Sequence, residues 1–212
     1  MHRSRPQNCR LHDRVDGAAV IMIAGILLAA GASRRFGTQD KLLQVAAGRP
    51  LVEYAADAMR AVELDEKIAV VRTPAVAALL PDFQLIDVSQ SAPQMATSLG
   101  AGIMRAVELG AHKALVHLGD MPFVTEQVLV DVADQCSEQA PSAAQSNAGF
   151  SPPACFPAAY FPQLMTLSGD TGARHLLRHL SHVTPVRVAV DTVADIDLPK
   201  EFKLLEKRLT RR

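Results

Sequence analysis

The apolar positions of this chain change period several times, and the changes mark out its elements. Ile23 to Ala30 is a mostly apolar run, which suits a buried strand. Pro50 to Leu64 carries apolar side chains at Leu51, Val52, Ala55, Met59 and Val62. That is a helical period, and Pro50 is well placed at its start. Lys67 to Arg72 reads as a buried strand around Ile68 to Val71. Thr73-Pro74 opens a short helix through Leu80, and Pro81 stops it. Gln84 to Val88 is another short strand. The order so far is βαβαβ, the pattern of a parallel sheet with crossover helices.

Ser89 to Met95 reads as a loop, and the next helix is expected to begin near Thr97 or Ser98. Either residue makes a good N-cap. Leu99, Ile103, Ala106 and Val107 form the apolar face of this helix, and Gly110 suits its C-cap. Ala114 to Leu118 is a fourth strand, ending in Gly119-Asp120-Met121-Pro122. A helix from about Thr125 to Cys136 follows. Glu138 to Gly149 is rich in Ala, Ser, Gln and Pro without period, which predicts a surface loop. Phe150 to Phe161, with Pro152, Pro153 and Pro157, is expected to cover a pocket as an irregular strand. Phe161 to Leu167 predicts a short helical turn. The polar loop Ser168 to Arg174 leads into a helix with Leu176, Leu177 and Leu180. Val186 to Val190 is a last strand. Asp195-Ile196-Asp197-Leu198-Pro199 opens a final helix with Phe202, Leu205 and Leu209 on one side.

Length and composition narrow the class. The chain has 212 residues, compatible with one α/β domain, and 49% of them are apolar, enough for a sizeable core. Trp is absent, so aliphatic side chains must fill that core. Lys plus Arg equals Asp plus Glu at 22 each, so no global charge points to nucleic acid or a membrane surface. Cys9, Cys136 and Cys155 are widely spaced, which fits a reducing cytoplasm and makes no zinc pattern. Ala18 to Ala30 is apolar but too short to span a bilayer. A signal peptide is not expected, because cleavage after that run would remove the first strand. Residues 1–21 are expected to be a disordered extension, with Met22 a candidate start and residues 22–212 a single domain.

The candidate chemistry sits at strand ends, where open α/β sheets bind ligands. After the first strand come Gly31, Ala32, Ser33, Arg34, Arg35, Phe36 and Gly37, then Lys41. Gly31 and Gly37 permit positive φ and close approach of backbone to ligand, and small residues expose N–H groups that can ring an anion. Arg34, Arg35 and Lys41 add positive charge, so a polyphosphate cradle is one reading. The other is an ordinary βα turn with solvated arginines. Neither common phosphate-loop spacing is present. Asp120 lies at the end of the fourth strand, where a carboxylate can hold Mg²⁺ or merely satisfy turn amides. Thr97 and Ser98 read as caps or as contacts to a base or ribose. Asp195 and Asp197 are candidate caps of the final helix, and Asp170 a candidate cap before Ala173. His175, His179 and His182 share helical spacing but have no adjacent acidic or Cys partner, so a solvated face is expected.

Leu28-Ala29-Ala30-Gly31-Ala32-Ser33-Arg34-Arg35-Phe36-Gly37, followed by Asp40-Lys41-Leu42-Leu43, resembles the signature loop of sugar-nucleotide-type nucleotidyltransferases. Within them it is most similar to the MobA-like molybdenum-cofactor nucleotidyltransferases. Phe36 stands where that family usually has Met. Gly119-Asp120-Met121-Pro122 resembles the family's metal-binding Gly-Asp-x-Pro, and Ser98-Leu99 its Ser-Leu pair. Gly169-Asp170-Thr171-Gly172-Ala173-Arg174 resembles its Gly-Asp-x-Gly-Ala-Arg, and Asp195-Ile196-Asp197-Leu198-Pro199 its terminal Asp-Ile-Asp-Thr-Pro. Two further places depart from the pattern. Ala92 to Ala96 lacks the usual Trp and Gly-Met, and Ser151-Pro152-Pro153 replaces Gly-His-Pro, removing a contact to the acceptor.

The resemblance covers residues 23–207 and implies a three-layer αβα Rossmann-like nucleotidyltransferase fold with a mainly parallel sheet. It implies that the acceptor's phosphate attacks the α-phosphorus of an NTP and pyrophosphate leaves. Leu28, Ala29, Ala30, Gly31, Ser33, Arg34, Arg35, Lys41, Thr97 and Ser98 would bind the nucleotide. Asp170 and Arg174 would face the acceptor, and Asp120 and Asp197 would hold Mg²⁺. Arg35, Lys41 and Asp120 would be catalytic. Leu-Ala-Ala-Gly and the Gly-Asp-x-Gly-Ala-Arg segment resemble the cytidylyltransferase branch (MocA). They imply CTP and a molybdopterin-type phosphorylated acceptor, with a molybdoenzyme as a maturation partner. Guanylyl transfer, another phosphorylated acceptor, and a non-catalytic nucleotide-binding accessory role are the rival readings.

Overall fold

The computed structural model describes residues 21–31, 40–170 and 172–196, together with 202, 205 and 206. Its elements begin with β1 (Ile23–Ala29), a 3-10 turn (Lys41–Leu43), β2 (Val45–Ala46), β3 (Arg49–Pro50) and α1 (Leu51–Ala61). Then come β4 (Glu66–Val71), α2 (Pro74–Ala77), β5 (Gln84–Asp87), α3 (Met95–Glu108), β6 (Lys113–Leu118) and α4 (Glu126–Gln135). The rest are β7 (Ser142–Ser146), β8 (Gly149–Pro157), α5 (Phe161–Met165), α6 (Ala173–His179) and β9 (Thr184–Arg187), with 3-10 turns at Ala158–Tyr160 and Val190–Val193.

Seven strands form one sheet in the order β5-β4-β1-β6-β8-β7-β9, while β2 and β3 make a separate antiparallel pair. β1 pairs in parallel with β4 on one side and β6 on the other. Only β8 runs against its neighbours, antiparallel to both β6 and β7. The expected mainly parallel sheet is borne out.

Alternation along β1 explains the layers. Ile23, Leu27 and Ala29 join a core with Leu51, Val52, Ala55 and Met59 of α1 and Leu129 and Val132 of α4. Ala24, Ile26 and Leu28 join the opposite core with Leu99, Ile103 and Ala106 of α3, Phe161 and Leu164 of α5 and Leu177 of α6. A strand covered on both faces needs apolar residues at every position, which is why β1 reads as a continuous run. Gly110 follows the C-cap of α3 with φ +77°, and Ala111 N–H donates to Ala106 O at 2.9 Å, closing that helix in a left-handed turn. No helix among the described residues is long and apolar enough to cross a membrane.

Four sequence expectations need correction. The segment read as a surface loop, residues 138–149, contains β7, whose Ser142, Ala143 and Ala144 are buried. Its small residues have weak strand propensity, but β8 and β9 pair with it on both sides and fix its backbone. β8 is an irregular strand, as expected, but it is not a cover. It is an interior strand, and its register against β7 jumps from Ala143↔Ala154 to Ala144↔Ser151, leaving Pro152 and Pro153 as a bulge. A bulge is where an interior strand tolerates residues that cannot donate to the ladder. α3 starts at Met95 with Gln94 before it, so Thr97 and Ser98 are not its caps. A neighbouring segment does part of that job: Ala96 N–H donates to Gly169 O at 3.2 Å. The last strand is Thr184–Arg187, and Val190 already belongs to a 3-10 turn. The expected extension, apart from exposed Ile21, lies outside the described residues, as does Cys9.

Candidate active site

β1 and β6 end side by side, and two loops leave from their carboxyl ends. Leu28, Ala29 and Ala30 are buried, so their side chains belong to the two cores. What they can offer a ligand is backbone. Gly31 is exposed, is not among the glycines with positive φ, and a Cβ built on it would meet nothing within 4 Å. Among the described residues, nothing fills the space beside that turn. Ser33, Arg34 and Arg35, the anionic-ligand residues expected next, lie outside the described residues.

Lys41 returns the chain to this edge. Asp40 caps the 3-10 turn, its Oδ1 accepting from Leu42 N–H at 3.0 Å, while its Oδ2 accepts from Thr73 Oγ1 at 3.4 Å. The turn packs on α1, with Leu42 buried in the same core. Lys41 is thereby held with its side chain only 11% exposed, and its Nζ donates to Asp120 Oδ2 at 2.6 Å. The two residues are 79 positions apart, and the spacing along the chain gave no sign that they meet.

Asp120 is fixed from three directions. Gly119 N–H donates to Leu28 O at 3.0 Å, tying the turn to the end of β1. A Cβ at Gly119 would come within 3.3 Å of that same Leu28 oxygen and 3.4 Å of Val52, so a larger residue fits only if the strand end or Val52 gives by a few tenths of an ångström. Met121 and Phe123 are buried anchors on the far side. Ile196 N–H donates to Asp120 O at 3.1 Å, which brings the C-terminal acidic stretch to the same turn. Asp195 is exposed there, and Asp197 lies outside the described residues. The Asp120 Oδ1 atom is buried and has no hydrogen-bond partner among the described residues. A carboxylate oxygen in that state is short of a donor or a cation.

The other expected contacts lie around the start of α3. Thr97 is partly buried in its first turn. Ser98 is 4% exposed, and its hydroxyl donates back to Gln94 O at 3.4 Å, within its own helix. Asp170 and Arg174 are both exposed. Gly172 beside them packs so closely on Met95 that a Cβ would lie 2.8 Å from Met95 Cγ. With the Ala96–Gly169 bond, this joins the expected acceptor segment to the N-terminus of α3. His175 and His179 stack at 4.4 Å on an exposed face, as expected of a solvated pair. No group of three or more His, Cys, Asp or Glu among the described residues is placed to hold a metal alone.

His117 gives no signal in the sequence, because it sits inside the apolar run 114–118 and belongs to no motif. It faces the core below the site, fully buried, and neither ring nitrogen has a partner among the described residues. Burial pushes its pKa down to about 3, so the imidazole is neutral. Its folded pKa lies below the unfolded value near 6.5, so the unfolded chain binds the proton first. Stability is then full above pH 6.5 and is lost as pH falls toward 3. The loss is expected to approach about 1.4 kcal/mol per pH unit at its steepest. Urea unfolding of wild type and His117→Leu between pH 4 and 7 reads this. The variant should lose that component of the slope. Equal slopes would contradict the assignment.

A family model described as the MobA-like NTP transferase domain matches residues 25–184. The chain is 30% identical over 205 residues to the purine catabolism protein PucB of Bacillus subtilis, covering 89% of this chain and 98% of that protein. It is 33% identical over 108 residues to a probable molybdenum cofactor guanylyltransferase of Pyrococcus furiosus, covering 51% of this chain and 52% of that protein. Among solved structures, Rv0371c from Mycobacterium tuberculosis is 26% identical with a TM-score of 0.74, covering 88% of this chain and 98% of that one. Its complex with manganese superposes with a TM-score of 0.71 at 25% identity and the same coverage. With more than half of its length matched by the family model and a full-length relative beside it, the chain belongs to the MobA-like NTP transferase family and is a nucleotidyltransferase.

Proposed function

We propose that this protein transfers a cytidylyl group from CTP to the terminal phosphate of a molybdopterin-type cofactor, releasing pyrophosphate. The observation that carries the reading is the Lys41–Asp120 pair at 2.6 Å, where β1 and β6 end together. It puts one cation, and one carboxylate with an oxygen unpartnered among the described residues, beside the glycine turn at the end of β1.

The acceptor phosphate needs no strong base, because a phosphate monoester is already largely dianionic near neutral pH. Catalysis then rests on alignment and charge neutralisation. In this reading the backbone of Ala30 and Gly31, with Arg34 and Arg35, holds the β- and γ-phosphates as they leave. Lys41 keeps a positive charge beside the α-phosphate and holds Asp120 in one rotamer. The buried Asp120 Oδ1, without a partner among the described residues, fits a hard divalent cation, which takes one or two carboxylates plus phosphate oxygens and water. Asp197 is the proposed second carboxylate, one residue beyond the Ile196 N–H that binds the Asp120 carbonyl. Mg²⁺ bound there would supply positive charge to the phosphate oxygens. Asp170 and Arg174 are assigned to the acceptor, and Thr97 and Ser98 to the base or ribose side. The product would pass to a molybdoenzyme during maturation, in the cytoplasm.

The guanylyltransferase name of the Pyrococcus relative favours GTP as the second reading, although it matches only 51% of this chain. Pyrophosphate release with Mg²⁺ and each of CTP, GTP, UTP and ATP, with and without the cofactor, tests both. Release with CTP only when acceptor is present is the expected result. Release with GTP alone would change the product but keep the reaction. Nucleotide binding with no release for any pair would point to an accessory role.

A further inference from the structure

Arg72 stands at the carboxyl end of β4, between the ends of β1 and β5, and among the described residues its guanidinium hydrogen-bonds to backbone carbonyls, with its charge also felt by the Asp87 carboxylate. Its Nε donates to Ala30 O at 3.2 Å. One terminal nitrogen donates to Ser91 O at 3.0 Å and Ser89 O at 3.4 Å, and the other to Ala92 O at 3.3 Å. The three loop carbonyls converge because the loop is tightly turned. Ser89 N–H donates to Asp87 Oδ1 at 2.7 Å, Ser91 N–H to Val88 O at 3.0 Å, and Gln94 N–H to Ala92 O at 2.8 Å. α3 begins at the very next residue, Met95.

One side chain thus sets the distance between two segments. The first is the residue before the Gly31 turn. The second is the loop that delivers the first turn of α3, with Thr97. β4 spaces β1 and β5 through the sheet ladder, but that ladder ends at Ala29, Val71 and Asp87, and the 89–94 loop lies beyond it. A planar fork can bond both segments at once, whereas an ammonium reaches one of them.

We propose that Arg72 is a positioning residue of the nucleotide site, holding the β1 turn and the 89–94 loop at the one separation that fits a nucleotide between them. This rests on the proposed nucleotide reading, in which the β1 turn takes the phosphates and the 89–94 loop leads to Thr97 and Ser98 on the base or ribose side. The test compares wild type, Arg72→Lys and Arg72→Met in steady-state nucleotidyl transfer with CTP and GTP. Loss of charge-assisted bonds should raise the nucleotide KM on the order of tenfold in Arg72→Met, with kcat nearly kept. Discrimination between CTP and GTP should narrow in the same variant, and Arg72→Lys should fall between it and wild type. Wild-type KM and discrimination in both variants would overturn the proposal. So would a fall in kcat that tracks the folded fraction with KM unchanged, the mark of a purely structural role. Should wild type turn over no nucleotide, the proposed reaction fails by itself. Calorimetric Kd values for CTP and GTP then decide for Arg72: weaker, less selective binding in the variants supports it, and equal binding overturns it.

Discussion

Asp120→Ala is expected to lower kcat by about a thousandfold or more while the protein stays folded. The turn that carries Asp120 does not depend on its carboxylate. It is held by Gly119 N–H on Leu28 O, by Asp120 O on Ile196 N–H, and by buried Met121 and Phe123. The side chain adds one described bond, to Lys41, and the pair is partly shielded at 11% and 19% exposure. Removing one member of such a pair should cost about 1–2 kcal/mol, between the surface and fully buried cases. The chemistry has no comparable reserve. Asp120 Oδ1 is the buried carboxylate oxygen left without a partner among the described residues at this edge. Asp120→Asn keeps the shape and removes the charge, so it should fail almost as badly. Pyrophosphate release read beside urea unfolding checks both halves. Loss of folding in Asp120→Asn, or activity near wild type, would count against the assignment.

The second large effect is expected at Lys41. Lys41→Met keeps an unbranched apolar stem in the same packing and deletes only the ammonium. Turnover should fall by about a hundredfold or more, the loss seen when one preorganised charge partner of a transition state is removed. A purely structural lysine would do something different to the metal. Lys41 Nζ already occupies Asp120 Oδ2 at 2.6 Å, so it competes with any cation for that carboxylate. Without it, the Mg²⁺ concentration for half-maximal activity should fall even as kcat falls. A higher Mg²⁺ requirement together with lower kcat would mean that Lys41 merely supports the shape of the turn.

The legibility of this fold follows from local chemistry. β1, β4 and β6 stood out because parallel strands covered on both faces must be apolar throughout. α1 and α4 stood out by their period. β7 was missed because Ser142, Ala143 and Ala144 carry no strand signal of their own, and neighbours on both edges determine their conformation. α3 starts at Met95, two to three residues before the cap residues Thr97 and Ser98 that local chemistry favours. The chain instead satisfies Ala96 N–H from Gly169, 73 positions away, as residues 96 and 169 show by difference. Long-range contacts of this kind leave no periodic trace.

The candidate site divides in the same way. Asp120 was legible from its place after a strand, and Lys41 from the loop motif it belongs to. That they touch was not, nor that Ile196 binds the Asp120 carbonyl. Arg72 read as the end of a strand, and only the folded loop shows where its guanidinium goes. His117 hid inside an apolar run, where a neutral imidazole passes for a core residue.

The most direct test of the central claim follows the α-phosphate. CTP labelled with ³²P at the α-position is incubated with Mg²⁺, molybdopterin cofactor and the wild-type protein, and the label is traced by chromatography and mass spectrometry. The account predicts that the label moves into a cofactor dinucleotide, with one unlabelled pyrophosphate released per product, and that Asp120→Asn leaves it in CTP. Label that stays in CTP with the wild-type protein, or is released as free CMP whether or not cofactor is present, would contradict it.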